Sequence, residues 1–437
     1  MRNTHSSRAA LGTAAILLAG CGLLDTQQPN LIDPGSLNSP AGAEALRLGA
    51  LADFAFANDG DGTQTEDGLI LVAGLLSDEF EHSTTPPSEQ EVDQRTTAVI
   101  NPSLSSIFRN LHHARRGAEV AAEALQQFVV EPDATTDIAE MQSIAGFTYV
   151  YFGEDFCSGV PFSQQIGDSS VFGGPNTSSQ IYELALAKFD SALAHPGLSV
   201  DDGTITNLAT VGRARTLVDL GRFAEAAAAA SAVPTDFVYA NEHADSPLRL
   251  QNAIWSYTNQ GLWSLSDLEG VVGLGFRTAG DPRVPFTDTG DTGLDLITAQ
   301  FNLDKYPGAT SPVSVADGIE ARLIEAEGLL QANDLPGMIV VLNDLRTLVA
   351  LDPLADPADR EAAIDQLFSE RAFWLFATGH RLGDMRRLLR QYGRGVDTVF
   401  PNGDYHKGGT YGPDVNFPLP IEEENNPNSV GCLDRNA

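Results

Sequence analysis

Apolar residues recur at intervals of three and four along most of this chain, the spacing that places them on one face of an α-helix. The strongest stretch is Leu208 to Pro234, LATVGRARTLVDLGRFAEAAAAASAVP, in which two helical periods meet at Leu220-Gly221-Arg222-Phe223. Ala214, Ala226 and Ala230 are small enough to let two such helices cross closely. A second helix pair is predicted over Ile319 to Val349, with Ala321, Ile324, Ala326 and Leu330 as the stripe of its first member. Asn333-Asp334-Leu335-Pro336 then supplies a turn, an N-cap and a proline near the first helical position. Single helices are predicted over Leu104 to Phe128, Ala134 to Phe152 and Ser178 to Ala194. Pro357 to Tyr392 is predicted as one long helix, capped by Asp356 with Pro357 at its first position.

Between the two pairs, Thr235 to Pro312 shows no helical period and is rich in Gly, Asp, Pro and Thr. The C-terminal part from Val396 is similar, with Pro401-Asn402-Gly403 and Gly408-Gly409. Neither has a pattern that would fold alone. Length by itself, 437 residues, suggests two or three domains. The pattern points instead to one helical domain over 41–437, with a loop-rich excursion at 235–312. The two helix pairs resemble tetratricopeptide repeats, whose alternation of small and large residues lets successive pairs stack. The expected fold class is all-α: tetratricopeptide-like helix pairs forming one domain, with long irregular loop excursions.

Charge narrows the partners. The chain carries 59 Asp and Glu against 26 Lys and Arg, a formal charge of −33. Such a field repels phosphate backbones and anionic lipid surfaces, so nucleic acid is excluded as a partner. The acidic surface also disfavours polyanionic glycans, unless arginines cluster at the site. Lys188, Lys305 and Lys407 are the only lysines, and arginine is the better bidentate partner for carboxylates.

The N-terminus adds an address. Arg2 and Arg8 precede the apolar run Ala9 to Leu18, which is too short to span a bilayer and reads as a signal peptide over 1–20. The run ends Leu18-Ala19-Gly20-Cys21, which resembles a lipobox cleaved before its cysteine, so lipidation is expected at Cys21. Acyl chains there anchor a protein to a membrane without spanning it. Polar, proline-bearing residues follow, and 21–40 is expected to be a flexible tether. Gly22 after the cysteine favours an outer membrane. Two cysteines remain, Cys157 and Cys432. In an oxidising compartment they are expected to form one disulfide; two free thiols are the alternative.

In order along the chain stand the lipobox, Leu76-Ser77-Asp78-Glu79, Thr148-Tyr149 through Gly159-Val160-Pro161, and Asp281-Pro282-Arg283. After them come Lys305-Tyr306, Glu320-Ala321-Arg322-Leu323-Ile324-Glu325-Ala326-Glu327 and Asn343-Asp344-Leu345-Arg346. Glu370-Arg371, Gly379-His380-Arg381 and Asp384-Met385-Arg386-Arg387 follow, and Phe417-Pro418-Leu419-Pro420 closes the series. The ordered set resembles the SusD/RagB family of nutrient-binding outer-membrane lipoproteins. Trp374 and Thr378 stand where that family has acids, and Ala377 where it has Phe. The resemblance implies a lipid-anchored protein on the exterior face of the outer membrane. It would capture an oligosaccharide, or in some members a peptide, and deliver it to a TonB-dependent, SusC-like transporter. It implies no catalysis and no cofactor. A glycan hydrolase and a tetratricopeptide scaffold for envelope assembly are the competing readings.

Glycan binding without catalysis uses aromatic faces against sugar C–H surfaces, with amides and carboxylates on the hydroxyls. Trp255, Tyr257 and Trp263, near Asn252, Asn259 and Gln260, are therefore the candidate ligand residues; pinning the excursion to the helical body is their alternative role. Metal signals are incomplete. In Asn58 to Gly68, Gln64 stands where a calcium loop starting at Asp59 needs glycine, and Asp288 to Asp295 lacks a full ligand set. His112-His113 reads as a solvated or packed helix face. The GxSxG elbow, GxGxxG and P-loop motifs are absent from the sequence.

Finally, Glu370 to Arg387, ERAFWLFATGHRLGDMRR, mixes acids, a histidine and arginines with aromatic residues. On one continuous helix Glu370, His380, Arg381 and Asp384 would share about a third of the circumference, with Arg381 and Asp384 as i,i+3 partners. The expected role is a buried polar seam holding the last helix to the repeat body, not an active site.

Overall fold

In the computed structural model of the chain, the described residues are 37–436 apart from 66, 131–133, 167–168 and 196–202. The signal peptide, Cys21 and nearly all of the expected tether lie outside them. The fold is all-α, with helices α1 (Pro40–Asp59), α2 (Leu69–Leu76), α3 (Pro87–Asp93), α4 (Pro102–Phe128), α5 (Thr135–Asp155), α6 (Ser178–Leu193), α7 (Gly203–Asp219) and α8 (Phe223–Ala230). They continue with α9 (Ala253–Asn259), α10 (Gly318–Gln331), α11 (Leu335–Thr347), α12 (Arg360–Trp374) and α13 (Arg381–Arg390).

The local chemistry explains most boundaries. Ser39 caps α1, accepting from the Gly42 amide at 3.1 Å, with Pro40 in the first turn. This helix takes up the end of the stretch expected to be tether. Thr177 and Gln180 form a reciprocal capping box at α6. Asp334 caps α11 through the Gly337 amide at 2.9 Å, with Pro336 behind it, as the sequence predicts.

The pairs α7/α8 and α10/α11 are the tetratricopeptide-like units, and α8 packs on α10. A β-carbon at Gly328 of α10 would come within 2.5 Å of the Ala227 side chain of α8, so the two helices touch through small residues. Phe189 of α6 wedges between α5 and α7 in the same way. A β-carbon at Gly146 would lie 2.7 Å from its ring, and one at Gly212 only 2.3 Å. We predict that Gly212→Ala costs about 1–3 kcal/mol through overpacking, checked by urea denaturation.

One large core gathers α1, α2, α4 to α7 and the excursion. A second cluster lies among α10, α11 and α12, built on Leu323, Leu330, Leu342, Leu367 and Phe368. Helix α10 joins them, since Ala321 and Ile324 face the first and Leu323 and Ala326 the second.

Two sequence expectations need correction. The excursion does contain a helix: Asn252 caps α9 through the Trp255 amide at 2.8 Å. The excursion also contributes strands. Val238–Asn241 pairs with Val313–Asp317, Trp263–Leu265 with Phe80–His82, and Phe286–Thr292 with Ala299–Leu303. The range Pro357 to Tyr392 is likewise two helices rather than one. Asp359, not Asp356, caps α12, accepting from the Ala362 amide at 2.9 Å. The chain then turns through Ala377 (φ 52°) and Gly379 (φ 75°) before α13. The turn's freed backbone groups find buried partners. Ala377 N–H donates to Glu79 at 2.8 Å, Lys305 Nζ donates to the Phe376 carbonyl at 2.6 Å, and Tyr306 Oη donates to the Ala377 carbonyl at 2.8 Å.

Cys157 and Cys432 are bonded across 275 residues, tying the C-terminal segment to the end of α5. Cys157 is fully buried and its amide donates to the Phe417 carbonyl at 2.8 Å. Replacing both cysteines by alanine is expected to lower the unfolding free energy by about 2–4 kcal/mol, because the unfolded chain regains the freedom of a long closed loop. Calorimetry of the double variant checks this.

Candidate ligand-binding site

The polar residues of ERAFWLFATGHRLGDMRR form a buried seam. Because the segment is two helices, its partners differ from those of a single continuous helix. Arg381 pairs with Asp78, at 2.6 and 2.8 Å, not with Asp384. Asp384 accepts from Arg371 and Arg387, each at 2.7 Å. Burial alone would raise the Asp384 carboxyl; the two guanidiniums outweigh it and hold the group below its ordinary value. Glu370 accepts from Arg283 at 2.5 Å and also from Arg346, while Arg283 is oriented by Asp281 at 2.6 Å. His380 sits 2.7 Å from Arg215 and 2.8 Å from Thr378 Oγ1. These charges are paired across the core, and Arg371, His380, Asp384 and Arg387 border a cavity of only about 10 Å³, room for about one water, so the seam is structural.

The three aromatic residues of the excursion are placed differently from one another. Trp263 is 1% exposed, packed on Phe80 and on the edge of Tyr257. Tyr257 is 3% exposed and donates to Asp67 at 2.7 Å. Both pin the excursion to the strand Phe80–His82 and the loop before α2, and offer no free face to a ligand. Trp255 is half-buried and packs on the core. The nearby amides are engaged too: Asn252 donates to the Ser311 carbonyl at 2.8 Å and Gln260 to Ser256 Oγ at 2.8 Å.

The acidic loops are also committed. Asp61 accepts from Thr63 and Thr65, and Asp295 from Thr298 at 2.7 Å and Lys407 at 2.8 Å. Among the described residues no group of three or more His, Cys, Asp or Glu is placed to hold a metal ion. His112 packs against Phe108 and Phe152, and burial pushes its imidazole well below its ordinary pKa.

Open space lies instead on both flanks of α1. Ala50 of α1 crosses α4 at Gly117, where a β-carbon would stand 3.6 Å from the Ala50 side chain. On one flank, between α1 and α4, is a cavity of about 870 Å³ with Leu46, Phe108, Val120 and Pro161 among its apolar walls. On the other is a cavity of about 710 Å³ walled by Phe56, Tyr239, Asn241, Glu242, His243 and Arg249. Gly49 and Asp53 of α1 border both cavities. A β-carbon at Gly49 would meet nothing within 4 Å. The Arg249 guanidinium lies 4.8 Å from the centre of the Phe56 ring. Partial burial raises the Asp53 carboxyl, and His113 and Arg249 oppose that rise. The two flanks offer apolar walls, flat aromatic and guanidinium surfaces, and convergent polar groups, the ingredients of a small-molecule or oligomer site.

Sequence reasoning did not find this site. Its α1 wall begins inside the stretch read as tether, although Ser39-Pro40 is a legible helix start. The His112-His113 and Arg115-Arg116 face of α4 was legible as a polar face but carried no hint of what faced it.

No protein-family model and no curated protein matches the chain. Solved structures do resemble it over most of its length. Surface glycan-binding protein A from Bacteroides thetaiotaomicron superposes with a TM-score of 0.70 at 11% identity, covering 91% of this chain and 100% of that one. A SusD-like carbohydrate binding protein from Bacteroides fragilis NCTC 9343 gives 0.67 at 14% identity, covering 90% and 99%. A SusD superfamily protein from Parabacteroides distasonis ATCC 8503 gives 0.66 at 14% identity, covering 90% and 98%. The fold is therefore the SusD-like one that the ordered motifs suggested, and it extends to nearly the full length of those proteins.

Proposed function

We propose that the protein is a glycan-binding, nutrient-capturing lipoprotein without catalytic activity. The observation that carries this reading is the whole-chain likeness to proteins described as glycan- or carbohydrate-binding. The open space beside α1 supports it, since it supplies a ligand surface away from the buried charge network. The lipobox at Cys21 supports a lipid anchor, Gly22 and the SusD/RagB-like motifs favour the outer membrane with the protein facing outward, and residues 41–437 act as one unit above the tether. No described helix is long and apolar enough to cross a membrane. A TonB-dependent, SusC-like transporter receives the ligand.

Two measurements test the reading. Purified protein incubated with glycans is expected to bind them and return them intact; release of shortened products would make it a hydrolase. Affinity purification from the native outer membrane is expected to bring down a large TonB-dependent barrel. Its absence would remove the transporter from the proposal and favour the envelope-scaffold reading.

A further inference from the structure

The cavity between α1 and α4 suits an aliphatic occupant better than a sugar. Leu37, Leu46, Phe108, Val120, Pro161 and Pro420 form its apolar walls, and removing such surface from water is favourable. The arginines beside them already have partners. Arg115 donates to Glu119 at 2.9 Å and to the Ser163 carbonyl at 3.0 Å, and Arg109 donates to Ser106 Oγ at 2.8 Å. Arg116 pairs with Glu119 and Glu123. Phe108 is buried among His112, Phe152 and Phe156, so it turns no open ring face to a ligand.

The described residues begin at this same cavity. Leu37 is the first of them, and it is half-buried in the wall. A β-carbon at Gly42 would lie 2.4 Å from the Leu37 carbonyl oxygen, so the chain enters pressed against the flank of α1, not beyond its end. Glycine at 42 is what admits so close an approach. The segment leading to Leu37 is Asp25 to Ser36, DTQQPNLIDPGS, in which Leu31 and Ile32 are the only aliphatic residues. Between that pair and Leu37 stands Asp33-Pro34-Gly35-Ser36, with proline and glycine at the two central positions of a type II turn. Such a turn reverses the chain and returns Leu31 and Ile32 alongside Leu37. Six residues reach up to roughly 20 Å, enough to span the cavity mouth.

We propose that Leu31 and Ile32 of the tether dock in the cavity between α1 and α4, against Leu46, Phe108 and Val120. The segment that carries the lipid anchor is then part of the surface of the domain. Residues 21–30 alone stay free, at most about 35 Å of chain, so the α1/α4 face is held toward the membrane. The ligand surface is the cavity beside Phe56 on the other flank of α1. The membrane-facing orientation rests on the lipoprotein reading; the docking itself does not.

Thiol labelling of the full mature chain, with Cys21→Ser and the Cys157–Cys432 bond intact, tests this. Gln28→Cys and Leu31→Cys are made separately and treated with a maleimide. Labelling at 31 is expected to be at least roughly tenfold slower than at 28, and the two rates to converge in urea. Adding Ile32→Asp to Leu31→Cys is expected to restore fast labelling at 31 while the helical body still melts cooperatively. A photoreactive benzoylphenylalanine in place of Leu31 locates the contact. Its cross-links are expected within one chain, to α1 between residues 45 and 53 or to α4 between residues 108 and 120. Equal native labelling at 28 and 31, or cross-links to any other part of the same chain, would overturn the inference. Cross-links between chains would overturn it in favour of a second copy seated in the cavity. No readout involves a glycan, so failure of the docking and failure of the glycan-binding reading are told apart.

Discussion

Replacing Arg381 by alanine is expected to lower the unfolding free energy by about 3–5 kcal/mol while leaving the ligand preference of the folded protein unchanged. Arg381 reaches from the start of α13 across the core to Asp78, beside the C-terminal end of α2, with both side chains buried. Removing the guanidinium leaves the Asp78 carboxylate with a single amide donor, the Leu274 N–H at 3.0 Å. A buried charge that loses its partner is far more costly than the pair's net contribution, because the desolvation already incurred is no longer offset. The double variant Asp78→Asn/Arg381→Met should recover much of the loss, since it removes both charges. Arg381 lines neither cavity beside α1, so titration of the folded variant should give the wild-type order of ligands. Altered specificity with normal stability would show that the seam belongs to the binding site.

The same pair shows how far the sequence could be read. Arg381 and Asp384 stand three residues apart, and local spacing made them partners, whereas the true partner of Arg381 lies 303 positions away. The break at Ala377 and Gly379 decided this, and its one local sign was Gly379: no proline interrupts the segment, and an alanine carries the other positive φ value. Helices with strong stripes and caps, such as α4, α6 and the α10/α11 pair, were legible because their information is local. Helix α2, LILVAGLL, is buried at every residue and has no polar face to show a period. For Trp263 and Tyr257 the sequence left ligand contact and core packing both open, because an aromatic residue in a loop looks the same whether it faces ligand or protein. The cavities beside α1 were illegible for a related reason: their walls come from α1, α4 and the excursion, and only packing brings them together.

Stability should also fall steeply as pH rises from about 6 to about 9, and Glu79→Gln should remove part of that fall. Burial pushes the Glu79 carboxyl up to about 8, with Asp78 adding to the rise against the Ala377 amide, Arg381 and Lys305. Burial likewise raises Glu81, Asp93 and Asp67 to about 7 each, the last helped by Glu89. A carboxyl with a raised native pKa holds its proton more tightly when folded. Its contribution to stability is complete below the unfolded value near 4 and is lost as pH climbs through the native one. At roughly 1.4 kcal/mol per pKa unit per group, four such groups remove on the order of 5 kcal/mol or more by pH 9. Asp384 acts in the opposite sense: its pKa is depressed in the folded state, so its contribution is present above the unfolded value and lost in acid. The optimum should therefore fall on the mildly acidic side of neutrality. Glutamine at position 79 keeps an acceptor for the Ala377 amide but has no proton to lose, so the alkaline limb of the variant's melting temperature should be visibly flatter. A wild-type protein equally stable at pH 6 and pH 9 would mean that these carboxyls find water or cations on ionisation, and that the N-terminal core around α2 and α3 is more open than its packing indicates.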